Sequence, residues 1–234
     1  TGASAKVLSL VAVKNRENAR RNPMAQTRDK ALTMEAACSV SEGNPPVADP
    51  LKVSDCSQIT DGAAAVILAS QAFVDRVQPR RRVRIKGVGH ATDHLRFDAK
   101  DVFDFAVSRK AVAEAYRTAG VGPADIQAAE VHDCFSITEV VACEILGFAE
   151  KGQGWKLVES GATRPDGRIP VNVGGGLIGD GHPVGATGVR QLHECYLHLT
   201  DRAGDRQVKN ARNLITWNMG GSFTTTISFV VGRA

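Results

Sequence analysis

The chain has 234 residues, of which 43% are hydrophobic, 23% charged and 5% aromatic, a globular balance that excludes a disordered, collagen-like or coiled-coil chain. Its 29 basic and 25 acidic residues give a formal net charge of +4. The one dense basic run, Arg80, Arg81 and Arg82 with Arg84 and Lys86, has no interleaved aromatics, so no nucleic-acid partner is expected. No apolar run approaches the roughly 18 residues of a membrane span. Five cysteines without a C-x-x-C pair argue against a disulfide framework or zinc ribbon and for a reducing, cytoplasmic setting.

The chain opens as helix interior, with Val7, Leu10, Val11 and Lys14 on one stripe, and lacks a secretory leader pattern, so it is expected to start within a larger unit. The Asn22-Pro23 and Asn44-Pro45-Pro46 steps then break regular structure over the first 50 positions. After the Asp61-Gly62 turn, the apolar run at 63–69 predicts a buried strand or a tight helix–strand corner, and Gln78-Pro79 marks a boundary.

From Val83 strands and helices alternate. Val83, Ile85 and Val88 suit a strand; Phe105, Val112, Tyr116 and Ala119 fall at helical spacing and are stopped at Gly120. Residues 126–132 form a strand, and Ser136 with Glu139 reads as a capping box opening a helix with Ile137, Val140, Val141, Ile145 and Phe148 on one face. A glycine-rich loop at 174–188 leads to a helix ending near Leu199. Residues 214–218 and the alternating Phe223, Thr225, Ile227, Phe229 and Val231 complete two more strands. This order implies an α/β layered fold with ligands at the carboxyl ends of strands.

Three loops carry candidate chemistry. The first, 172–188, places seven glycines within 174–188 and holds His182 between Gly181 and Pro183, rigidly enough for a general base and oxyanion donor, although a glycine turn with a surface histidine fits as well. Its Gly174, Gly176 and Gly179 match G-x-G-x-x-G, but Pro183 delays the helix that a dinucleotide site requires. The second is His132-Asp133-Cys134-Phe135 at a strand end. Cys134 is either a small buried hydrophobe or, ahead of a helix N-terminus and near His132, a thiolate. The third is Thr216 to Gly221, with Asn218 at its tip, which turn chemistry alone also explains. His90 and His94 lack a third metal ligand, His193 and His198 read as a solvated or packed helix face, Cys143 and Cys195 as core, and Cys38 has no assignable role.

Together these loops resemble the thiolase family, closest to its sterol-carrier-protein-2 branch. N-V-G-G-G-L-I-G-D-G-H-P-V-G-A-T-G is similar to the family's catalytic-histidine loop, and H-D-C-F to the motif that this branch has in place of N-E-A-F. D-C-S-Q-I-T-D-G-A-A-A-V resembles the segment bordering the CoA pantetheine, and W-N-M-G-G stands where other thiolases have C-x-G.

The resemblance implies an α-β-α-β-α sandwich, here mainly its C-terminal βαβαβαββ half. It places the remainder of the loop domain at 1–54, the end of the N-terminal half at 55–78 and the C-terminal domain at 79–234. It further implies an acyl-CoA acyltransferase acting through an acyl-cysteine, with the nucleophile in the N-terminal half, so that this chain alone would not turn over. The alternatives are a non-catalytic thiolase-like subunit and a retro-aldolase on CoA-linked sterol side chains.

Carried over by position, His182 activates the nucleophile and Cys134 is the acid/base group. His132 replaces the asparagine that positions an oxyanion-hole water, and Gly220 supplies a backbone oxyanion donor. Asn218 replaces the second cysteine, and Ser57 lies near the pantetheine. A CoA thioester is expected as substrate, with no further cofactor and no metal; Arg16, Arg20 and Arg21 are candidate contacts for its nucleotide phosphates. A homodimer or tetramer is implied.

Overall fold

The computed structural model describes residues 2–96, 98, 101, 103–221 and 223–234. Helix α1 (Ala5–Arg20) starts where Ser4 Oγ accepts from the Val7 amide and ends short of Asn22-Pro23. Its Val7 and Val11 pack with Val140 and Val158, while Lys14 and Asn15 are buried as well. After it come the short α2 (Met34–Cys38), the two-stranded ribbon β1 (Pro46–Ala48) and β2 (Leu51–Lys52), and α3 (Gln71–Val77).

The expected buried strand at 63–69 does not form. Residues 61–70 carry no regular structure, and Ile67 and Leu68 are 95% and 72% exposed. An apolar run becomes a strand only beside a ladder partner, and none pairs with it among the described residues.

The core is a mixed four-stranded sheet ordered β3-β6-β5-β4. In chain order its elements are β3 (Val83–Thr92), α4 (Ala106–Ala119), β4 (Ala128–Val131), α5 (Ser136–Ile145), α6 (Gly154–Glu159), α7 (Gly176–Gly179), α8 (Thr187–Leu199), β5 (Asn213–Gly220) and β6 (Thr225–Arg233). Strands β4 and β5 are parallel; the other pairs are antiparallel. Ala129, Val131, Ile215, Trp217 and Val230 pack under α4 and α5, whereas Ala128, Leu214 and Val231 pack with Cys195 and Leu199 of α8. The sheet is thus covered on both faces. The remaining strand of a βαβαβαββ order is reduced to a parallel bridge between Val171 and Ala129.

Three readings change in detail. The capping box is not made: Phe135 is the N-cap, Ser136 Oγ donates to Asp55 Oδ1 (3.0 Å), and Glu139 is drawn into a buried network. Helix α5 uses two faces, Val140 toward α1 and Val141 and Ile145 toward the sheet, and Phe148 lies beyond its end. On β6 Thr226, Ser228, Val230 and Val231 are buried whereas Ile227 and Phe229 are half-buried, and Phe223 stands in the preceding turn at φ 62°. Ser108 and the Thr216 carbonyl satisfy the two hydroxyls.

Small residues let α4 lie directly on this part of the sheet. A Cβ at Gly89 would stand 1.8 Å from the Ala111 carbonyl oxygen, and one at Gly87 2.1 Å from that of Ala115. Backbone cannot yield as a flexible side chain does, so Gly89→Ala should lower stability by about 3 kcal/mol, the upper end of ordinary overpacking. Gly43→Ala, where nothing lies within 4 Å, serves as control. Urea midpoints would check this; equal midpoints for the two variants would refute the close packing.

Candidate active site

Four segments meet at the carboxyl end of β4 and β5. The His132 amide donates to the Trp217 carbonyl (3.0 Å), which extends the ladder one residue past β4 and aligns the 132–135 loop with the tip of β5. The 55–60 segment threads across them. Cys56 bridges to Phe135, the Ser57 amide donates to the Cys134 carbonyl (2.9 Å), and Ile59 bridges to His182. The His182 amide donates to Thr60 Oγ1 (3.1 Å). Sequence-distant His132 and His182 end edge to face, with ring centroids 4.9 Å apart and planes at 88°.

The hydrogen bonds define what each imidazole offers. Thr187 Oγ1 lies within reach of the Pro183 carbonyl (3.1 Å) and 2.8 Å from His182 Nδ1. With its proton on that carbonyl, the hydroxyl accepts from Nδ1–H and Nε2 keeps a free lone pair, the form a general base requires. Burial, with Arg190 second, holds the His182 pKa below its ordinary value. Burial pushes His132 down to about 4, with smaller contributions from His182 and Arg190 and a partial opposing one from its Asn218 hydrogen bond. Both rings are neutral at pH 7.

Cys134 departs from the expected thiolate. Burial outweighs the start of α5 and pushes the thiol up to about 11; Asp133 adds to this, and the Thr138 hydroxyl at 3.8 Å opposes it. Cys134 is thus a neutral thiol, suited to donating a proton. Cys143 and Cys195 are buried, as read from the sequence. Limited alkylation followed by peptide mapping should label exposed Cys38 first and half-buried Cys134 well before Cys143, which is 1% exposed. Cys143 modified ahead of Cys134 would overturn this placement.

Sequence reasoning assigned no role to Asp133, between the two candidate residues His132 and Cys134. It is fully buried and accepts from the Leu177 amide (2.6 Å), the Ile178 amide (3.3 Å) and Asn15 Nδ2 (2.7 Å). It thereby ties the 132–135 loop to the start of the one-turn α7 and so to the His182 loop. The only local signal was its place inside H-D-C-F. A Cβ at Gly176, whose φ is 61°, would lie 2.4 Å from Asp133 Oδ2, so this glycine makes room for the carboxylate. Gly181, at φ 123°, sets the turn before His182. The glycine-rich loop is itself core: residues 171–181 are buried throughout, while His182 is only half-buried.

Asn218 lies 3.1 Å through Oδ1 from His132 Nδ1, and its Nδ2 donates to Gln191 Oε1 of α8. Gly220 closes β5 opposite Thr225 at the hairpin end. Arg20 at the end of α1 and Arg21 just past it are exposed, Arg21 donating to Asn18 (3.1 Å), and Arg16 is half-buried. His198 is packed rather than solvated, at 1% exposure. Among the described residues, no group of three or more His, Cys, Asp or Glu side chains is placed to hold a metal ion, and no helix is long and apolar enough to cross a membrane.

Against protein-family models, residues 89–233 match the family described as "Thiolase C-terminal domain-like". Among curated proteins, the chain is 41% identical over 233 residues to an acetyl-CoA acetyltransferase of Methanothermobacter thermautotrophicus, covering 99% of this chain and 59% of that protein. It is 38% identical over 213 residues to sterol carrier protein 2 of Bos taurus, covering 88% and 38%. Among solved structures, the Ltp2-ChsH2(DUF35) aldolase superposes with a TM-score of 0.84 at 20% identity, covering 99% of this chain and 59% of that one. The fold and site define a thiolase-like α/β protein. The chain belongs to the thiolase superfamily, on its sterol-carrier-protein-2 thiolase branch. It spans about three-fifths of the acetyltransferase it matches.

Proposed function

We propose that the full-length protein is a thiolase-type acyl-CoA acyltransferase, cleaving or forming the C–C bond of a 3-oxoacyl-CoA through an acyl-cysteine supplied outside these 234 residues. The observation that carries this reading is that His182, with Nδ1 2.8 Å from the Thr187 hydroxyl, stands 4.9 Å ring to ring from His132 on the loop that bears Cys134. In the cleavage direction His182 Nε2 takes the proton of the nucleophilic thiol. The thiolate attacks the 3-oxo carbon, and the resulting imidazolium stabilises the oxyanion. The C2–C3 bond then breaks, and Cys134, a thiol at neutral pH, protonates the C2 carbanion of the departing thioester. The incoming CoA thiol returns a proton to Cys134 as its sulfur takes the acyl group, and His182 gives its proton back to the nucleophile. Ser57 and the 55–62 segment line the approach for the pantetheine, exposed Arg20 and Arg21 are candidate phosphate contacts, and residues 79–234 serve as the C-terminal thiolase domain.

Calorimetric titration of the full-length protein with CoA and with NAD, together with a thiolysis assay on acetoacetyl-CoA, tests the reading. CoA binding and CoA-dependent loss of acetoacetyl-CoA are expected. Micromolar NAD binding without CoA binding would sink it, and cleavage of a CoA-linked β-hydroxy substrate without thiolysis would replace it with an aldolase.

A further inference from the structure

Each of the two histidine loops carries an acid two residues ahead of its imidazole, and one cation faces both acids. Asp180 precedes His182. Glu130 of β4 precedes His132 and shares its strand face, because the ladder runs one residue past β4. Arg190, in the first turn of α8, donates through Nη1 to Asp180 Oδ2 at 2.7 Å, the two side chains being 13% and 6% exposed. Glu130, then Glu194 and Asp133, add negative charge around the same guanidinium. Among the described residues neither Glu130 Oε2 nor Arg190 Nε and Nη2 has a hydrogen-bond partner, so Arg190 is moored to Asp180 and meets Glu130 through its field alone. The His182 turn does not need this ion pair to stay in place. The Gln26 amide donates to the Asp180 carbonyl (2.9 Å) and the Thr27 hydroxyl to the Gly179 carbonyl (2.6 Å), both independent of the Asp180 side chain. Holding a guanidinium in the interior costs desolvation, and a turn already fastened by its backbone gains little in return.

We propose that Arg190 is a positioning residue of the site that acts through its charge: moored to Asp180 and faced by Glu130, it is the cation common to the two histidine loops and keeps both imidazoles unprotonated. A second positive charge on either ring would be repelled by it in a medium that screens poorly. The groups around His182 are Arg190 on α8, His132 beyond β4, Asp180 on its own loop, exposed Asp61 on the crossing 55–61 segment, and the neutral thiols Cys56 and Cys134. Glu194, which also faces Arg190, is paired with Arg206. The His182 and His132 pKa values are both held down with Arg190 among the causes, in agreement with this arrangement. Its consequence for turnover, a base that stays available below neutral pH, rests on the thiolase reading; the charge coupling does not.

The test is NMR titration of the imidazole Cε1–H resonances in the full-length protein, the two rings being assigned by their loss in His182→Gln and His132→Gln. Arg190→Met removes the cation and should raise both pKa values. Arg190→Lys keeps the charge and should leave them nearer those of the unaltered protein than those of Arg190→Met. Asp180→Asn has the same shape, leaves Arg190 uncompensated and should lower the His182 pKa. A pair with only a structural role gives a different pattern: either loss would loosen the turn, admit water and raise the His182 value, because burial is the largest cause of its depression. Failure of either ring to rise in Arg190→Met, or a His182 pKa that does not fall in Asp180→Asn, would overturn the proposal. If Arg190→Met does not fold, the sign of the Asp180→Asn shift decides alone. In the thiolysis assay the acidic limb of kcat/KM should move up in Arg190→Met by the shift that the His182 titration shows. Titrations that behave as stated beside an unmoved limb would refute His182 as the base of the proposed reaction and leave the charge coupling intact.

Discussion

In the full-length protein, His182→Ala should lower kcat by about 10²–10⁴-fold, because the variant loses both a base for the nucleophilic thiol and the imidazolium that follows it. KM should move far less, since the half-buried ring makes its recorded side-chain contacts to Thr187 and the His132 ring, both inside the site. The fold should persist: the residue's structural bond is its amide to Thr60, which alanine retains. The same group sets a pH limb. A base must be neutral, and burial holds the His182 pKa below its ordinary value of 6.5. The acidic fall of kcat/KM should therefore lie below pH 6.5. Steady-state kinetics with circular dichroism decide the matter; an unchanged kcat, or a loss explained by unfolding, would remove His182 from the mechanism.

What made His182, His132 and Cys134 legible was local: glycines and a proline around one residue, and a short polar run at the end of an apolar strand. The alternation of strands and helices after Val83 was legible for the same reason, since periodicity is written in neighbouring residues. Features set by long-range contacts were not. The neutrality of Cys134 comes from burial, whereas the sequence showed only that a helix follows it. Asp133 acts on amides 44 and 45 positions away, and nothing near it in the sequence announces them. Ser136 and Glu139 have the spacing of a cap, but a buried carboxylate partner for one and a lysine for the other draw them off the helix end. The apolar alternation of β6 announced the strand but not its buried face, because α4 packs too closely on one face for large side chains, so that threonine and serine are buried there. The run at 63–69 shows the converse limit: hydrophobicity announces burial, but a strand exists only where another backbone runs beside it.

Lys14 connects these levels, and Lys14→Met should destabilise the protein by about 3–5 kcal/mol, the cost of breaking a buried ion pair from one side. Its sequence position on the α1 stripe marked it as inward-facing despite its charge, and in the fold it is 3% exposed. Its Nζ lies 2.5 Å from Glu139 Oε1 and donates to the Val171 carbonyl (2.8 Å). Methionine fills similar volume but leaves fully buried Glu139 with only the Asn15 and Asn172 amides (2.9 and 3.0 Å) and leaves the Val171 carbonyl without its donor. The effect should reach the site, because Asn15 Nδ2 is shared between Glu139 and Asp133, and Asp133 holds the Leu177 and Ile178 amides ahead of His182. Adding Glu139→Gln to Lys14→Met removes the stranded charge while keeping hydrogen-bonding capacity. The pair should therefore recover at least about 1 kcal/mol relative to the sum of the single changes. Urea unfolding of the two single variants and the double variant measures both numbers. A loss under about 1 kcal/mol for Lys14→Met, or strict additivity in the double variant, would show that the pair neither stabilises the interior nor couples α1 to the 132–135 and 174–182 loops.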